Sequence, residues 1–314
     1  MLFDSIIGHL KIRESVVGSI KKEKFSHASL IVGADGIGKS YVAYEMAVNI
    51  LGKSEYKQYV DIEEYRIPEN KKSISVDQIR EITEEINKKP YEGNKKVIIL
   101  HNADKMTVQA QNAFLKSIEE PPNGVFLILL CENQENLLDT IKSRCQTFKL
   151  SRLSEEELDQ FLIGKYPDIS EEEKRTVKVF SDGIPGRIEN FVDNSVYGEI
   201  RDNTIKMFLD AHEKDLSAFL KYQDFLVKNK NDWQEVLTCI LSYVRDIMVY
   251  KEAGNEDYII NLDKIKAIKQ LAETFSYKKL NNVIDIVNST KNNLQSNVNA
   301  AMVYHIMLLK IQEG

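Results

Sequence analysis

Residues 29–40 read SLIVGADGIGKS, and this stretch decides the fold of the first half of the chain. Residues 29–32 form a short apolar run that leads directly into a glycine-rich turn. Residues 41–51 then place apolar side chains at helical spacing. A buried strand, a glycine-rich loop and a helix, in this order, are typical of a phosphate-binding loop. The stretch therefore predicts an α/β domain built around a phosphate site.

The loop itself satisfies the pattern G-x-x-x-x-G-K-[S/T] in full. Gly33, Gly36 and Gly38 allow consecutive backbone amides to curl around a phosphate. We expect Lys39 to reach the β- and γ-phosphates of ATP or ADP, and the hydroxyl of Ser40 to bind Mg²⁺. The alternative is a glycine-rich loop that binds nothing and serves only as scaffold.

Two further apolar runs, residues 97–100 and 125–130, alternate with helical patterns. This alternation predicts a parallel sheet with helices on both faces. Strand signals fade after residue 150, and the rest of the chain has helical patterns with short connections. Composition changes near residues 150 and 200 predict three segments: an α/β domain at 1–150, a small helical lid at 151–202 and an all-α domain at 203–314.

Composition limits the classes of function. The 314 residues include 42 Lys and Arg against 48 Asp and Glu, a net charge of −6, which excludes a protein that coats nucleic acid by bulk positive charge. The longest apolar run, residues 125–131, is too short to cross a membrane. Cys131, Cys145 and Cys239 are too few for a disulfide framework and lack zinc-ligand spacing. We expect a cytoplasmic protein without a membrane segment or zinc.

The second apolar run lacks the acids that a P-loop enzyme normally carries at a neighbouring strand end. Residues 97–100 lead directly into His101, Asn102 and Asp104. Imidazole is a poor ligand for Mg²⁺, and Asn102 cannot take a proton from water. Asp104 is either a displaced metal ligand or a solvated acid in a first helical turn, and His101 as a substitute base is a weaker alternative. We therefore expect slow ATP hydrolysis by this chain alone.

Four sequence features together resemble the AAA+ clamp-loader subunits of bacterial DNA polymerase III. They are Gly8-His9, the phosphate loop, residues 112–122 (NAFLKSIEEPP) and residues 143–145 (SRC). The resemblance covers about residues 1–190. It implies an AAA+ domain, a helical lid and a C-terminal helical collar. It also implies a hetero-pentamer with gamma/tau and delta subunits, a sliding clamp as a transient partner, and primer-template DNA contacted through the complex.

This sequence differs from the motor subunits of the family, and the differences indicate which branch of the family it resembles. Gamma and tau carry an intact Asp-Glu pair after the second strand, whereas this chain resembles the delta-prime branch, which implies a rigid stator. A gamma/tau-type motor ATPase and a non-hydrolysing scaffold with a vestigial loop remain the alternatives. We assign the polymerase activity associated with the family to the holoenzyme, because this sequence has no pair of metal-binding acids that supports nucleotidyl transfer.

Residues 52–72, where relatives often carry a four-cysteine zinc module, contain no cysteine. Arg187 lies one residue from the position expected of a sensor-2 arginine.

Arg144 of the SRC triplet changes the functional interpretation most. The resemblance implies an arginine finger that enters the ATP site of a neighbouring subunit. A guanidinium is always charged and its fork matches phosphate geometry. The alternative is a surface arginine paired with a local acid such as Asp139. Glu119 and Glu120 are adjacent on a helix, so their side chains diverge by about 100°, and we interpret them as a solvated pair at the helix end.

Overall fold

A five-stranded sheet forms the centre of the first half of the chain in the computed structural model, which describes residues 6–22, 25–68, 71–193, 195–211, 216–296 and 298–313. The strands are β1 (Ala28–Val32), β2 (Ile62–Tyr65), β3 (Lys96–Leu100), β4 (Val125–Cys131) and β5 (Gln146–Lys149). Their order is β2-β3-β4-β1-β5, and every neighbouring pair is parallel. The carboxyl ends of all five strands therefore lie at one edge, where ligands bind in open α/β sheets.

Helices cover both faces of this sheet. They are α1 (Leu10–Lys21), α2 (Lys39–Ile50), α3 (Val76–Ile86), α4 (Val108–Glu119) and the short α5 (Asp139–Lys142). Leu30 and Ile31 are both fully buried but belong to different apolar layers, because successive strand side chains point to opposite faces. Ile31 packs in the layer with α1 and α2, and Leu30 in the layer with α3, α4 and α5. The predicted parallel sheet with helices on both faces is confirmed.

The ends of α4 follow local sequence signals. The side chain of Thr107 accepts a hydrogen bond from the backbone amide of Ala110 at 3.2 Å and caps the amino end. Pro121 and Pro122 follow the carboxyl end and prevent the helix from continuing. Glu119 is therefore the last helical residue of α4, because the Thr107 cap sets where the helix begins and the two prolines set where it ends.

The rest of the described chain is helical. It comprises α6 (Glu155–Lys165), α7 (Glu171–Ser181), α8 (Pro185–Asp193), α9 (Ser195–Asp210), α10 (Leu216–Lys228), α11 (Trp233–Ala253), α12 (Ile265–Thr274), α13 (Tyr277–Gln295) and α14 (Ala300–Glu313). Among the residues described, no helix is long and apolar enough to span a membrane.

The chain divides into two compact units. The first contains Met1–Lys165 with Gly183–Gly186, and the second contains Tyr166–Asp182 with Arg187–Gly314. The second unit has one continuous apolar core, in which α11 buries residues at helical spacing that include Val236, Ile240 and Val244. The predicted division into three domains, with boundaries at residues 150 and 202, stays a prediction. The two compact units are defined by their internal contacts and do not test it.

Candidate functional site

Each glycine predicted for the phosphate loop is required by the backbone. Gly36 and Gly38 have φ angles of 75° and 100°, in the left-handed region that favours glycine. A Cβ atom on Gly33 would lie 2.9 Å from Cγ2 of Ile37, which is too close for any side chain. The backbone amide of Gly186 donates to the carbonyl oxygen of Gly36 at 2.9 Å. A second segment of the same unit therefore braces the loop.

Lys39 begins α2, and its ammonium group lies against the loop. Nζ donates hydrogen bonds to the carbonyl oxygens of Gly33 at 2.8 Å and Ala34 at 2.9 Å. Ser40 follows in the first turn of α2 and is half-buried. The amino end of a helix carries a partial positive charge and unpaired amides. Loop amides, helix end and ammonium together make a site suited to phosphate.

The chain turns sharply after β3. Asn102 adopts the left-handed conformation (φ 52°, ψ 43°), and Ala103–Lys105 form a 3₁₀ turn. Asp104 in this turn is only 6% exposed. Its Oδ2 accepts from the backbone amide of Asn133 at 3.3 Å, and its Oδ1 is buried without a hydrogen-bond partner among the described residues. The alternative of a solvated acid is therefore wrong, and the metal-ligand role of Asp104 stays a prediction.

His101 is anchored at the end of β3. Its Nε2 lies 2.7 Å from Oε2 of Glu64 on β2, and the residue is 6% exposed. Burial is the largest influence and lowers the pKa of His101; the hydrogen bond with Glu64 opposes this, while the charges of Arg66 and Lys39 add to it. The ring is consequently neutral at neutral pH, and its role as a substitute base stays a prediction.

Glu132 is a candidate site residue that the sequence analysis missed. It directly follows β4, the strand next to β1, and is exposed as a residue; partial desolvation of its carboxyl group is the main cause that raises its pKa. The charges of Asp35 and Asp104 raise this pKa further, while Lys39 lowers it. A carboxylate therefore does lie beside the phosphate loop, but β4 supplies it instead of β3. An acid directly after the third apolar run was the signal that could have identified it.

Gly8 and His9 precede α1, and His9 lies beside the phosphate loop. Gly8 has φ 79°, and a Cβ atom there would lie 2.5 Å from Cδ2 of Leu153. His9 is also left-handed, with φ 55°, and its imidazole lies close to the backbone of Ile37 in the loop. Burial is the largest influence on the pKa of His9 and lowers it. Of the two residues, His9 is therefore the one next to the phosphate loop.

Arg144 lies on the surface just after α5. Its Nη2 is 2.6 Å from Oε1 of Glu119, and its Nη1 donates to the carbonyl oxygen of Thr140 at 2.9 Å. The side chain is 38% exposed. Asp139, the acid considered as its partner, instead forms an ion pair with Lys142 at 2.8 Å. Arg144 is thus a surface arginine paired with a local acid, as the alternative expected, but the acid is Glu119 and not Asp139. Glu119 and Glu120 are both exposed at the end of α4, as expected, and Glu119 is in addition ion-paired. The finger role of Arg144 stays a prediction.

Comparison with known proteins gives the family. A family model described as "DNA polymerase III, delta subunit" matches residues 8–154, and one described as "DNA polymerase III, delta subunit, C terminal" matches residues 198–313. A DNA polymerase III subunit delta′ from Bacillus subtilis is 31% identical over 97% of this chain and 96% of its own length. The chain belongs to the DNA polymerase III delta-prime family. The resemblance seen in the sequence is confirmed.

Two other proteins similar to this delta-prime family member are a tau subunit and a gamma subunit-related protein. The tau subunit of DNA polymerase III from Bacillus subtilis is 24% identical over 98% of this chain and 61% of its own length. A solved structure of a gamma subunit-related protein from Thermotoga maritima has a TM-score of 0.50 and 19% identity, and covers 96% of this chain and 98% of its own. That similarity shows a shared fold.

One further site prediction for this delta-prime family member concerns Arg187. Arg187 belongs to the second unit, where its Nη1 lies 3.7 Å from Oδ2 of Asp182. Its sensor-2 role stays a prediction. Within the described ranges, no group of three or more His, Cys, Asp or Glu residues is arranged to hold a metal ion.

Proposed function

We propose that this chain is a subunit of the clamp loader of the bacterial DNA polymerase III holoenzyme, which uses ATP to load the sliding clamp onto primed DNA. Membership of the delta-prime family over nearly the whole chain supports this proposal. The chain is a stator: it binds nucleotide, hydrolyses it slowly and supplies Arg144 to a neighbouring subunit. One contrast carries the proposal: the two residues directly after β3, His101 and Asn102, carry no carboxylate, while Arg144 is on the surface.

The phosphate loop supplies the chemistry of nucleotide binding. The amides of the loop and of the first turn of α2 would donate to phosphate oxygens of ATP or ADP, and Lys39 would exchange its carbonyl partners for the β- and γ-phosphates. The Ser40 hydroxyl would hold Mg²⁺, with Asp104 and Glu132 as nearby oxygen donors. The buried, unpartnered Oδ1 of Asp104 fits such a role. Bound Mg²⁺ would neutralise part of the phosphate charge.

Arg144 gives the chain its part in hydrolysis by the complex. A guanidinium delivered to a γ-phosphate in trans stabilises the charge that develops in the transition state. The partners would be gamma/tau and delta subunits in a hetero-pentamer, joined through the C-terminal helices. The sliding clamp binds transiently, and primer-template DNA is contacted through the complex.

Glu132 favours a second candidate, a motor-type ATPase. Its carboxylate lies near the charge of Lys39 at the end of the strand next to β1. A carboxylate at this place could hold the metal or orient water in the absence of an acid after β3. Hydrolysis by the isolated chain separates the two candidates.

Replacement of Lys39 with alanine tests the nucleotide site. We expect the purified wild-type chain to bind a fluorescent ATP analogue saturably, and the Lys39→Ala variant to bind it at least about tenfold more weakly, because the ammonium contact with the phosphates is lost. The Lys89→Ala variant is the matched control, because Lys89 is an exposed lysine away from the loop. Absence of wild-type binding at millimolar nucleotide would show that the loop is vestigial.

A further inference from the structure

The guanidinium of Arg144 is held at two points by two different elements. Thr140 of α5 accepts from Nη1 at 2.9 Å, and Glu119 at the end of α4 lies 2.6 Å from Nη2. A guanidinium has five N–H donors in one plane. Contacts on both terminal nitrogens fix the direction of that plane and leave the other donors free for a ligand. The side chain thus has one defined orientation although it is 38% exposed.

Glu119 is a rigid point of attachment. It is the last residue of α4, which is packed into the core through Phe114 and Ile118, both fully buried. A carboxylate at the carboxyl end of a helix faces the negative end of the helix dipole, which is unfavourable by itself. The positive charge of Arg144 compensates for this. The stability of α4 therefore does not explain why a carboxylate stands at this position, whereas the contact of Glu119 with Arg144 does.

We propose that Glu119 is a positioning residue that holds Arg144 in the orientation in which it meets the triphosphate of the neighbouring subunit. This inference rests on the proposed function of Arg144 as a finger. A free arginine side chain must lose rotamer freedom when it engages a phosphate, and a residue that restricts it beforehand removes part of this loss. Ion pairs between exposed side chains contribute little to folding. The contribution of Glu119 therefore lies in the geometry of the finger.

The test uses the complete clamp loader reconstituted with its sister subunits. The quantity measured is DNA-stimulated ATP turnover, and the Arg144-dependent share is the difference between wild type and Arg144→Ala. We expect Glu119→Gln to lower this share about fivefold, with the KM for ATP, the assembly of the complex and the unfolding midpoint unchanged. Glu119→Asp, which keeps the charge, recovers part of the loss. If Glu119 only stabilised the fold, Glu119→Gln would lower the unfolding midpoint together with ATP turnover.

Glu120→Gln is the matched control, because Glu120 is the adjacent exposed acid and makes no ion pair with any described residue. We expect it to behave as wild type. If Glu119→Gln retains full turnover while Arg144→Ala loses it, the positioning role is wrong and the finger stands. If Glu119→Gln raises turnover, Glu119 restrains the finger, which also contradicts the proposal. If Arg144→Ala has no effect, both the finger and the positioning role fail.

Discussion

Replacing Arg144 with alanine lowers DNA-stimulated ATP turnover about 10³-fold at the site that this chain serves in the reconstituted clamp loader. The reason is electrostatic. The guanidinium carries a permanent positive charge and two-pronged hydrogen-bonding geometry, and both are lost in the variant. Since Arg144 is on the surface and its pair with Glu119 is half-exposed, the fold and the assembly of the complex are unaffected. The measurement is steady-state ATPase activity of the complex with and without primed DNA.

Two variants control this prediction. Arg80→Ala removes another surface arginine of the same unit, which pairs with Asp77 at 3.0 Å, and leaves turnover unchanged. Arg144→Lys keeps the charge but loses the fork, and restores only part of the turnover. Equal turnover of the Arg144→Ala and wild-type complexes would show that this arginine serves no neighbouring site.

Replacing Lys96 with methionine lowers the free energy of unfolding of the first unit by about 3 kcal/mol. The side chain of Lys96 is fully buried at the start of β3, and its Nζ lies 2.8 Å from Oε1 of Glu63 and 2.5 Å from Oε1 of Glu85. Removal of the cation leaves two carboxylates close together without compensation. Glu63 lies on the edge strand β2, so the pairing of β2 with β3 is weakened first.

Hydrogen exchange of the β2 and β3 amides measures this effect, because Trp233 lies in the second unit and its fluorescence does not report on the sheet. Hydrogen exchange of Lys96→Met and wild type is compared at pH 7. Hydrogen bonds from Lys88 and Lys96 lower the pKa of Glu85 to about 2, so the stabilisation from this carboxylate is complete above its ordinary pKa of 4.5 and is lost as the pH falls toward 2. Lys95→Met is the neighbouring control. Equal protection in Lys96→Met and wild type would contradict the prediction.

The central strands could be predicted from sequence, but the edge strands could not. β1, β3 and β4 lie inside the sheet and are almost continuously apolar, so each is recognisable without its neighbours. β2 reads IEEY and β5 reads QTFK. Both are four residues long and lie at the edges, where half of the side chains face water. Their pairing partners are distant in sequence, and four residues carry too little periodicity to identify a strand.

The candidate site was predictable where one continuous segment forms it. Gly33, Gly36, Gly38, Lys39 and Ser40 fall together in the loop, because a phosphate loop is local in sequence. Contacts between distant segments were not predictable in this way. The Arg144–Glu119 pair spans 25 positions, and the His101–Glu64 pair spans 37. Each depends on which strand ends and helix ends the folded sheet brings together.

ATP hydrolysis by the purified chain alone separates a stator from a motor subunit. The measurement is steady-state release of phosphate at saturating Mg-ATP, without sister subunits or DNA, for wild type and Lys39→Ala. We expect nucleotide to bind to the wild-type chain but its turnover to stay close to that of Lys39→Ala, because the two residues directly after β3, His101 and Asn102, carry no carboxylate to activate water. Lys39-dependent turnover on the order of 1 s⁻¹ or faster would contradict it and would identify the chain as a working motor.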